Sequence, residues 1–362
     1  MRICCFLGEW RSGGIESFLT GVILHLPRDA RIDIAAKRIG ESVFTAGLKA
    51  MGVRFFELSG RSHSLKNTKC FAELLKNEKY DAVHLNIFHA LDLIYAKIAK
   101  KYNVKVRIAH AHGAGLQGGW LFWLKMLIHR ISQRFLLRYA TLTLSCSESA
   151  AKFVLGKAAD GYVKNGIDAA AFEYSEQKRQ KIRRELSLEG KIVVGHVGRL
   201  SSEKNQAFAI EVLRELRRFG CNATLLLVGE GDDRDKLYEL AEQAEVNGAV
   251  VFYGTTEDVC GLYSAMDIFI FPSLFEGFGI AVLEAECSGL PVICSDGVPS
   301  EAIVCNNAVR LSLADGAAVW AERMLEMLRE PKARKSQSTK ILAAGYDISR
   351  TAREMTKYYA GP

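Results

Sequence analysis

The chain has 362 residues, 49% of them hydrophobic and 25% charged, with only six prolines; it is long enough for two cores of ordinary size and holds too little proline for extended disordered linkers. Its net charge of +7 is modest, and no run of about 18 apolar residues is present to cross a bilayer, which excludes a disordered chain and an integral membrane protein. The nine cysteines form no Cys-x-x-Cys pair and fall mostly in apolar runs, so reduced thiols, a cytosolic setting and no zinc site are expected, as is the lack of a signal peptide at MRICCFLGEW.

From the N-terminus, short β-branched runs alternate with helical patterns. RICCFL, RIDIAA, VRFFEL, YDAVHL, VKVRIA and ATLTLSC are each followed by a stretch of 3.6-residue periodicity, which predicts a βα series. The alternation pauses in NGIDAAAFEYSEQKRQKIRRELSLEG, a polar and charged segment that reads as a domain junction. It resumes with KIVVGHVG, ATLLLVG, VVFYG, DIFIFPS, LPVICSD and AVRLSL, and after residue 314 the pattern is helical to the end. Near-continuous apolar strands joined by helices imply parallel sheets covered on both faces. The expected fold is α/β, with two doubly wound, Rossmann-like domains facing across a cleft. Residues 1–170 form the first domain and 171–345 the second, and 346–362 form a last helix that packs back on the first. Ligands of such sheets bind at the carboxyl ends of the strands.

In the first domain, FLGEWRSGGIESFL places Gly13 and Gly14 at the start of a helix, an anion-compatible turn, with Glu16 in its opening turn. An ordinary helix cap is nearly as good a reading. VKVRIAHAHGAG ends a strand with His110 and His112, whose spacing puts both on one face. No carboxylate lies nearby to complete a metal site, so a cleft-lining His112 and a buried His110 are the better readings. No acidic residue occurs between Asp92 and Glu148, while Lys97, Lys100, Lys101, Lys105, Arg107, Lys125, Arg130, Arg134 and Arg138 all fall there. Within that stretch, GGWLFWLKMLIHRISQRFLLRYA interleaves Trp120, Phe122, Trp123, Leu127, Ile131 and Phe135 with Lys125, Arg130, Arg134 and Arg138. Such a helix either covers a core or lies on an anionic membrane, where each basic residue contributes about 1 kcal/mol; the two tryptophans favour the membrane. The helical apolar pattern argues against a nucleic-acid surface.

In the second domain, GHVGRLSSEKNQ puts Arg199 and Lys204 in the loop after the first strand, where two cations can hold a diphosphate. Glu203 stands where a Walker A loop needs glycine, and LVGEGDDRD lacks the third glycine of a dinucleotide-binding turn. FPSLFEGFGIAVLEAECSGLPVI places Gly277 and Gly279 where a strand turns into a helix, with Glu276 before the turn and Glu284 inside the helix. The turn suits a phosphate. Eight residues at about 100° each set the two glutamates about 80° apart around the axis if the helix reaches back to 276, and carboxylates beside a phosphate site call for hydroxyl donors such as those of a sugar and a ribose.

In order and spacing, RSGGIE, HAHG, VKNGID, VGRLSSEKN, LVGEGD and EGFGIAVLEAECSGLPVI resemble the family 4 glycosyltransferases, retaining nucleotide-sugar enzymes of the GT-B fold, and most of all those of bacterial capsule and exopolysaccharide assembly. The resemblance covers nearly the whole chain. It implies that Glu276 contacts the donor sugar, Glu284 the ribose, and Arg199 with Lys204 the diphosphate. Gly277, Phe278 and Gly279 would hold phosphates through their backbone, with Phe278 the variable residue of the turn. Gly14 would face the donor phosphate or the acceptor, with Gly13, Glu16, His110 and His112 lining the first domain's side and His112 near the reacting sugar.

The implied activity is transfer of a sugar, from a UDP-sugar by preference, to a lipid-linked saccharide at the inner face of the plasma membrane, with retention of configuration. No cofactor or metal is called for, since cations and the helix dipole stabilise the leaving group, and no nucleic-acid partner is expected. The alternatives are a nucleotide-sugar epimerase of the same architecture, which would turn over donor alone, and a nucleotide-binding module without catalysis.

Overall fold

In the computed structural model, which describes residues 1–60, 64–115, 121–329 and 334–361, the chain divides into two units, Met1–Ile167 with Ile348–Pro362 and Asp168–Asp347. The first unit holds β1 (Arg2–Trp10), β2 (Arg31–Ile39), β3 (Arg54–Glu57), β4 (Ala82–Ile87), β5 (Val106–Ala111), β6 (Leu142–Ser145) and β7 (Gly161–Tyr162). They pair in parallel in the order β3-β2-β1-β4-β5-β6-β7. Burial on both faces explains their composition: all six residues of β4 are buried, as are Ile3 to Leu7 of β1. Phe6, Phe71 and Tyr95 form an aromatic cluster on one face, with ring centroids 4.0 to 5.7 Å apart. The helix Ile348–Ala360 packs on the helix Gly14–Leu24, Ile348 lying over Gly21.

The second unit holds β8 (Ile192–Val197), β9 (Ala223–Val228), β10 (Val250–Gly254), β11 (Ile268–Phe271), β12 (Val292–Ser295) and β13 (Ala308–Leu311), all parallel in the order β10-β9-β8-β11-β12-β13. The helix Gln206–Arg218 buries Ala209, Ile210, Leu213 and Leu216 against Leu225, Leu227 and, from the helix Gly316–Arg329, Trp320 and Met324. Each such side chain taken from water contributes roughly 1.5–3 kcal/mol. In both sheets the strand order reverses once, between β1 and β4 and between β8 and β11. These are the switch points at whose carboxyl edges doubly wound sheets bind ligands.

The apolar runs read from the sequence all lie in these strands, and the two-residue β7 escaped notice because it is too short to show a period. The polar segment read as a junction is in large part structure of the second unit. Its helix Glu176–Glu185 is held by Arg179 and Arg183, which pair with Asp267 just before β11. The change of unit falls at Ile167–Asp168 rather than at 170 because the next residues pack on the second unit: Cys287 donates to the Ala169 carbonyl and Phe172 meets the Tyr263 ring. The helical C-terminal part consists of Gly316–Arg329, Ser338–Ala343 and Ile348–Ala360.

Candidate functional site

The carboxyl ends of β8 and β11 are adjacent, and the loops that follow them are stitched together. Leu274 N–H donates to the Glu203 carbonyl at 2.8 Å, and Asn205, in the left-handed region at φ 54°, donates from Nδ2 to the Pro272 carbonyl at 3.1 Å. This stitching brings Lys204 Nζ to 2.5 Å from Glu276 Oε1, although the residues lie 72 positions apart in the chain. Lys204 also sits over the Phe271 ring, 4.8 Å from its centroid. Their side chains are only 21% and 11% exposed, which makes the pair far less screened than a surface ion pair yet still reachable from solvent. Glu276 N–H donates to the Gly297 carbonyl, fixing the backbone that presents the carboxylate.

Arg199 lies in the same loop as Lys204, with its Nε buried and lacking a hydrogen-bond partner among the described residues. Its carbonyl accepts from Gln206 Nε2 at 2.7 Å, and the Gln206 amide also meets buried His196, whose ring stacks on Phe271. Burial lowers the His196 pKa to about 3, so it is neutral. The glycines of LVGEGD are explained by packing: a Cβ on Gly229 or Gly231 would lie 2.1 Å from the carbonyl oxygen of Gly198 or Leu200. These glycines admit the Arg199 loop and have no need of a ligand.

After β11 the turn 277–279 leads into the helix Ile280–Cys287, capped by Gly279 at φ 95°. That left-handed residue stops the helix short of Glu276, so the expected 80° relation between the two glutamates does not apply. Phe278 is buried and packs on Tyr346, ring centroids 5.5 Å apart, so its side chain is taken up in packing. Glu284 is buried as well, and its Oε2 accepts the Tyr263 hydroxyl at 2.8 Å. Desolvation raises the Glu284 pKa to about 7 against the opposing Tyr263 hydrogen bond. Glu286 has a structural partner set: its carboxylate accepts the N–H groups of Val304 and Cys305 at 2.8 and 2.9 Å, and burial raises its pKa to about 7.

In the first unit, Gly13 is the extended N-cap of the helix Gly14–Leu24. Glu16 is buried and turned back on its own loop, where it accepts the Arg11 N–H at 3.2 Å. Its carboxylate is thereby a brace for the turn carrying Gly13 and Gly14. His110, on β5, is fully buried; its Nδ1 meets His84 Nε2 at 3.1 Å, and His84 Nδ1 meets the Tyr359 hydroxyl at 2.8 Å. With no exposed surface, His110 supports its neighbours and reaches no ligand from solvent. His112, just past the end of β5, lies 4.0 Å from the His110 ring centroid. Asn86 Nδ2 points at the Phe6 carbonyl, which leaves its Oδ1 to accept from His112 Nε2 at 3.1 Å. That assignment keeps the proton on Nε2 and makes Nδ1 the acceptor. Desolvation lowers the pKa of His84 and His112 to about 3 and that of His110 well below its usual value, so all three are neutral. Among the described residues no group of three potential ligands is placed to hold a metal ion.

The basic amphipathic segment forms the helix Phe122–Leu136. His129 seats it: Nε2 donates to the Phe153 carbonyl and Nδ1 accepts from Ala90 N–H. Away from that seat Trp123 is 82% exposed, and Leu124, Leu127, Ile131 and Phe135 are exposed too. Lys125, Arg130, Arg134 and Arg138 are exposed alongside them. Lys97, Lys100 and Arg138 converge on the Tyr139 ring, 5.2 to 5.8 Å from its centroid. This face is therefore not a core-covering one. Trp120 lies outside the described residues. No described helix is long and apolar enough to cross a membrane.

The two Rossmann-like units, built on parallel sheets of seven and six strands, have the GT-B fold. Residues 12–170 match the family model Glycosyltransferase Family 4 and residues 177–341 match Glycosyl transferases group 1, and the chain belongs to these glycosyltransferases. Over 373 aligned residues it is 27% identical to EpsF of Bacillus subtilis (strain 168), a glycosyltransferase by name, covering 99% of this chain and 96% of that one. It is 26% identical to the UDP-Gal:alpha-D-GlcNAc-diphosphoundecaprenol alpha-1,3-galactosyltransferase of Escherichia coli, over 64% of this chain and 62% of that one. The crystal structure of HepE (Alr3699) from Anabaena, a complex with UDP and glucose, superposes with a TM-score of 0.83 at 20% identity over 100% of both chains.

Tyr263 and the His84–Tyr359 pair were not read from the sequence. A tyrosine in GLYSAMD and another in the last helix look like core residues until the fold brings their hydroxyls to a carboxylate and an imidazole.

Proposed function

We propose that the chain transfers a sugar from a nucleotide-sugar, UDP-linked by preference, to a lipid-linked saccharide at an anionic membrane surface, with retention of anomeric configuration, in the assembly of a capsular, exopolysaccharide or other cell-surface glycan. The observation that carries this reading is the meeting of Lys204 and Glu276 at the switch point of the second unit, with the unsatisfied Arg199 Nε in the same loop. A diphosphate supplies an acceptor for the Arg199 Nε, and it shares Lys204 with Glu276. The carboxylate is then released to accept sugar hydroxyls through Oε2 while Oε1 keeps the lysine in place. As the bond from sugar to diphosphate breaks, charge grows on the leaving oxygen, and preorganised cations stabilise it without reorientation. Glu284, held from below by Tyr263, accepts from the ribose. His112 is neutral and presents Nδ1 to a hydroxyl of the reacting sugar.

The names of the relatives support the donor and acceptor classes: HepE was crystallised with UDP and glucose, and the Escherichia coli enzyme is named for a diphosphoundecaprenol acceptor. The exposed face of Phe122–Leu136, apolar side chains flanked by four cations, supports the membrane. The test is thermal shift of the purified protein with UDP-, GDP- and ADP-linked sugars, each with and without chelator. A chelator-insensitive stabilisation by the UDP series is expected, and no shift with any series overturns the donor site. Replacing Arg130, Arg134 and Arg138 with Gln is expected to abolish co-sedimentation with phosphatidylglycerol vesicles. Unchanged co-sedimentation overturns the membrane face.

A further inference from the structure

Glu284 is a buried carboxylate with a single side-chain donor among the described residues, and that donor is itself held from two sides. Tyr263 is fully buried, its ring packed between Phe172 and Phe269, and its hydroxyl lies 2.8 Å from Glu284 Oε2 and 3.3 Å from the Ala281 carbonyl. A hydroxyl has one proton to donate, and the shorter contact to the charged acceptor takes it. Tyr263 sits on the helix Val259–Ala265 and Glu284 on Ile280–Cys287. One guanidinium ties the ends of both. Arg334 donates to the carbonyls of Tyr263, Ser264 and Met266 at the end of the first helix, and to the carbonyl and hydroxyl of Ser288 at the end of the second, at 2.7 to 3.2 Å. These carbonyls are the negative ends of two helix dipoles, so a cation shared between them fixes the separation of the helices.

We infer that Tyr263 is a positioning residue for nucleotide binding: its hydroxyl, on a helix whose end is held by the Arg334 clamp, aims the Glu284 carboxylate so that it accepts the ribose hydroxyls of a nucleoside diphosphate. The inference rests on the reading that Glu284 is the ribose ligand. A protonated Glu284 loses acceptor capacity, and its tendency to protonate near neutrality comes from desolvation that the Tyr263 hydrogen bond opposes. The other titratable groups felt by Glu284 are Cys260 on the Tyr263 helix and Cys287 on its own. Burial raises both thiols to about 12, so they stay neutral while Glu284 titrates. Loss of the tyrosine hydroxyl therefore raises the Glu284 pKa further, and the binding defect is largest at low pH.

The experiment is calorimetric titration of wild type, Tyr263→Phe and Glu284→Gln with UDP, GDP and ADP at pH 6.5 and pH 9, the tightest of the three being then compared with its 2′,3′-dideoxy form. In wild type the ribose form is expected to bind about tenfold tighter than the dideoxy form, the scale of one charge-assisted hydrogen bond. Tyr263→Phe is expected to weaken the ribose form about tenfold at pH 6.5 and to recover to within about twofold of wild type at pH 9, with dideoxy binding unchanged throughout. Equal weakening at both pH values, or none at either, overturns the positioning role. Glu284→Gln separates the two levels: if it binds all ligands as wild type does, or wild type binds none, the ribose reading itself fails. If Glu284→Gln loses the ribose preference while Tyr263→Phe keeps it at pH 6.5, only the role of Tyr263 fails. A melting temperature for each variant, measured without ligand, confirms that the compared proteins are folded.

Discussion

Beside the switch point of the second sheet, a lysine and a glutamate meet as an ion pair, partly open to solvent, with a second cation, buried to its Nε, in the same loop as the lysine. Beside that of the first sheet, β4, the end of β5 and the last helix contribute three imidazoles, an amide and a phenol, all buried and all neutral, while the charges there, the Arg11–Glu9 pair and Glu16, belong to the end of β1 and the turn after it. One topology thus carries two chemistries. Fixed charge suits a site that must bind a dianion and absorb the charge that leaves with it. Neutral acceptors suit a site that must orient hydroxyls without attracting phosphate. The difference follows from solvation, since the ion pair of the second unit keeps some water and each ion an opposite charge, while the histidines, buried among neutral partners, stay uncharged.

The strongest way to break this contrast is to remove the charge. If Glu276 meets the donor sugar as proposed, Glu276→Ala is expected to lower kcat/KM by about a thousandfold or more, because it deletes that contact and frees Lys204 to bind elsewhere. It also leaves Lys204 half-buried and unpaired, at a cost of about 1–3 kcal/mol that lowers the melting temperature. Lys204→Met with Glu276→Gln together should restore that temperature without restoring transfer, which thermal melts and a radiolabelled-donor assay would show. Recovery of transfer in the double variant would mean that the pair is only structural.

A smaller effect is expected across the contrast. His112→Gln should lower kcat by about tenfold and leave nucleotide affinity within about twofold, since a single neutral hydrogen bond is lost on the sugar side. Nucleotide binding as weak as that of Lys204→Ala would erase the distinction between the two sites.

A third effect is on stability against pH, and it has opposite signs in the two units. His84 and His112 are folded with pKa values near 3, lowered chiefly by desolvation; the stability they contribute is complete above about 6.5 and lost progressively on acidification. At pH 5 each has lost about 2 kcal/mol. Glu284 and Glu286, raised chiefly by desolvation to about 7, work the other way: their contribution is complete below about 4.5 and lost as pH rises through 7. Acidification from pH 8 to pH 5 returns about 2–3 kcal/mol at each glutamate, against one opposing histidine, His196, in that unit. Hydrogen exchange at the two pH values should show β4 and β5 losing protection at pH 5 while β11 and β12 keep or gain it. Parallel loss in both sheets would contradict the sign assigned to the glutamates.

The strands were legible because a parallel sheet covered on both faces demands unbroken apolar runs, and these are visible one at a time. Glu276, Gly277 and Gly279 were legible for a related reason: a glycine turn at the end of such a run marks where backbone donors face outward. What stayed hidden is everything whose meaning depends on a distant partner. Lys204 and Glu276 are each unremarkable until the loops after β8 and β11 are sewn together. Tyr263 reads as core, and so does Tyr359, whose partner His84 is 275 residues away. The helix-wheel relation between Glu276 and Glu284 failed for a local reason, one left-handed glycine at 279. Glu16 looked like a ligand because an acidic side chain in a first helical turn sits beside the orphan N–H groups that a ligand would meet, and here it turns back to accept the N–H of Arg11 in the preceding loop.

The return of Ile348–Ala360 to the first unit sets an order on biosynthesis. The second unit is continuous from Asp168 to Asp347 and is complete once those residues have left the ribosome. The first unit begins the chain, yet His84 has no phenol to meet and the helix Gly14–Leu24 no cover until the last helix emerges. The half made first is therefore finished last, and throughout translation its exposed flank is the surface that a nascent-chain chaperone would hold.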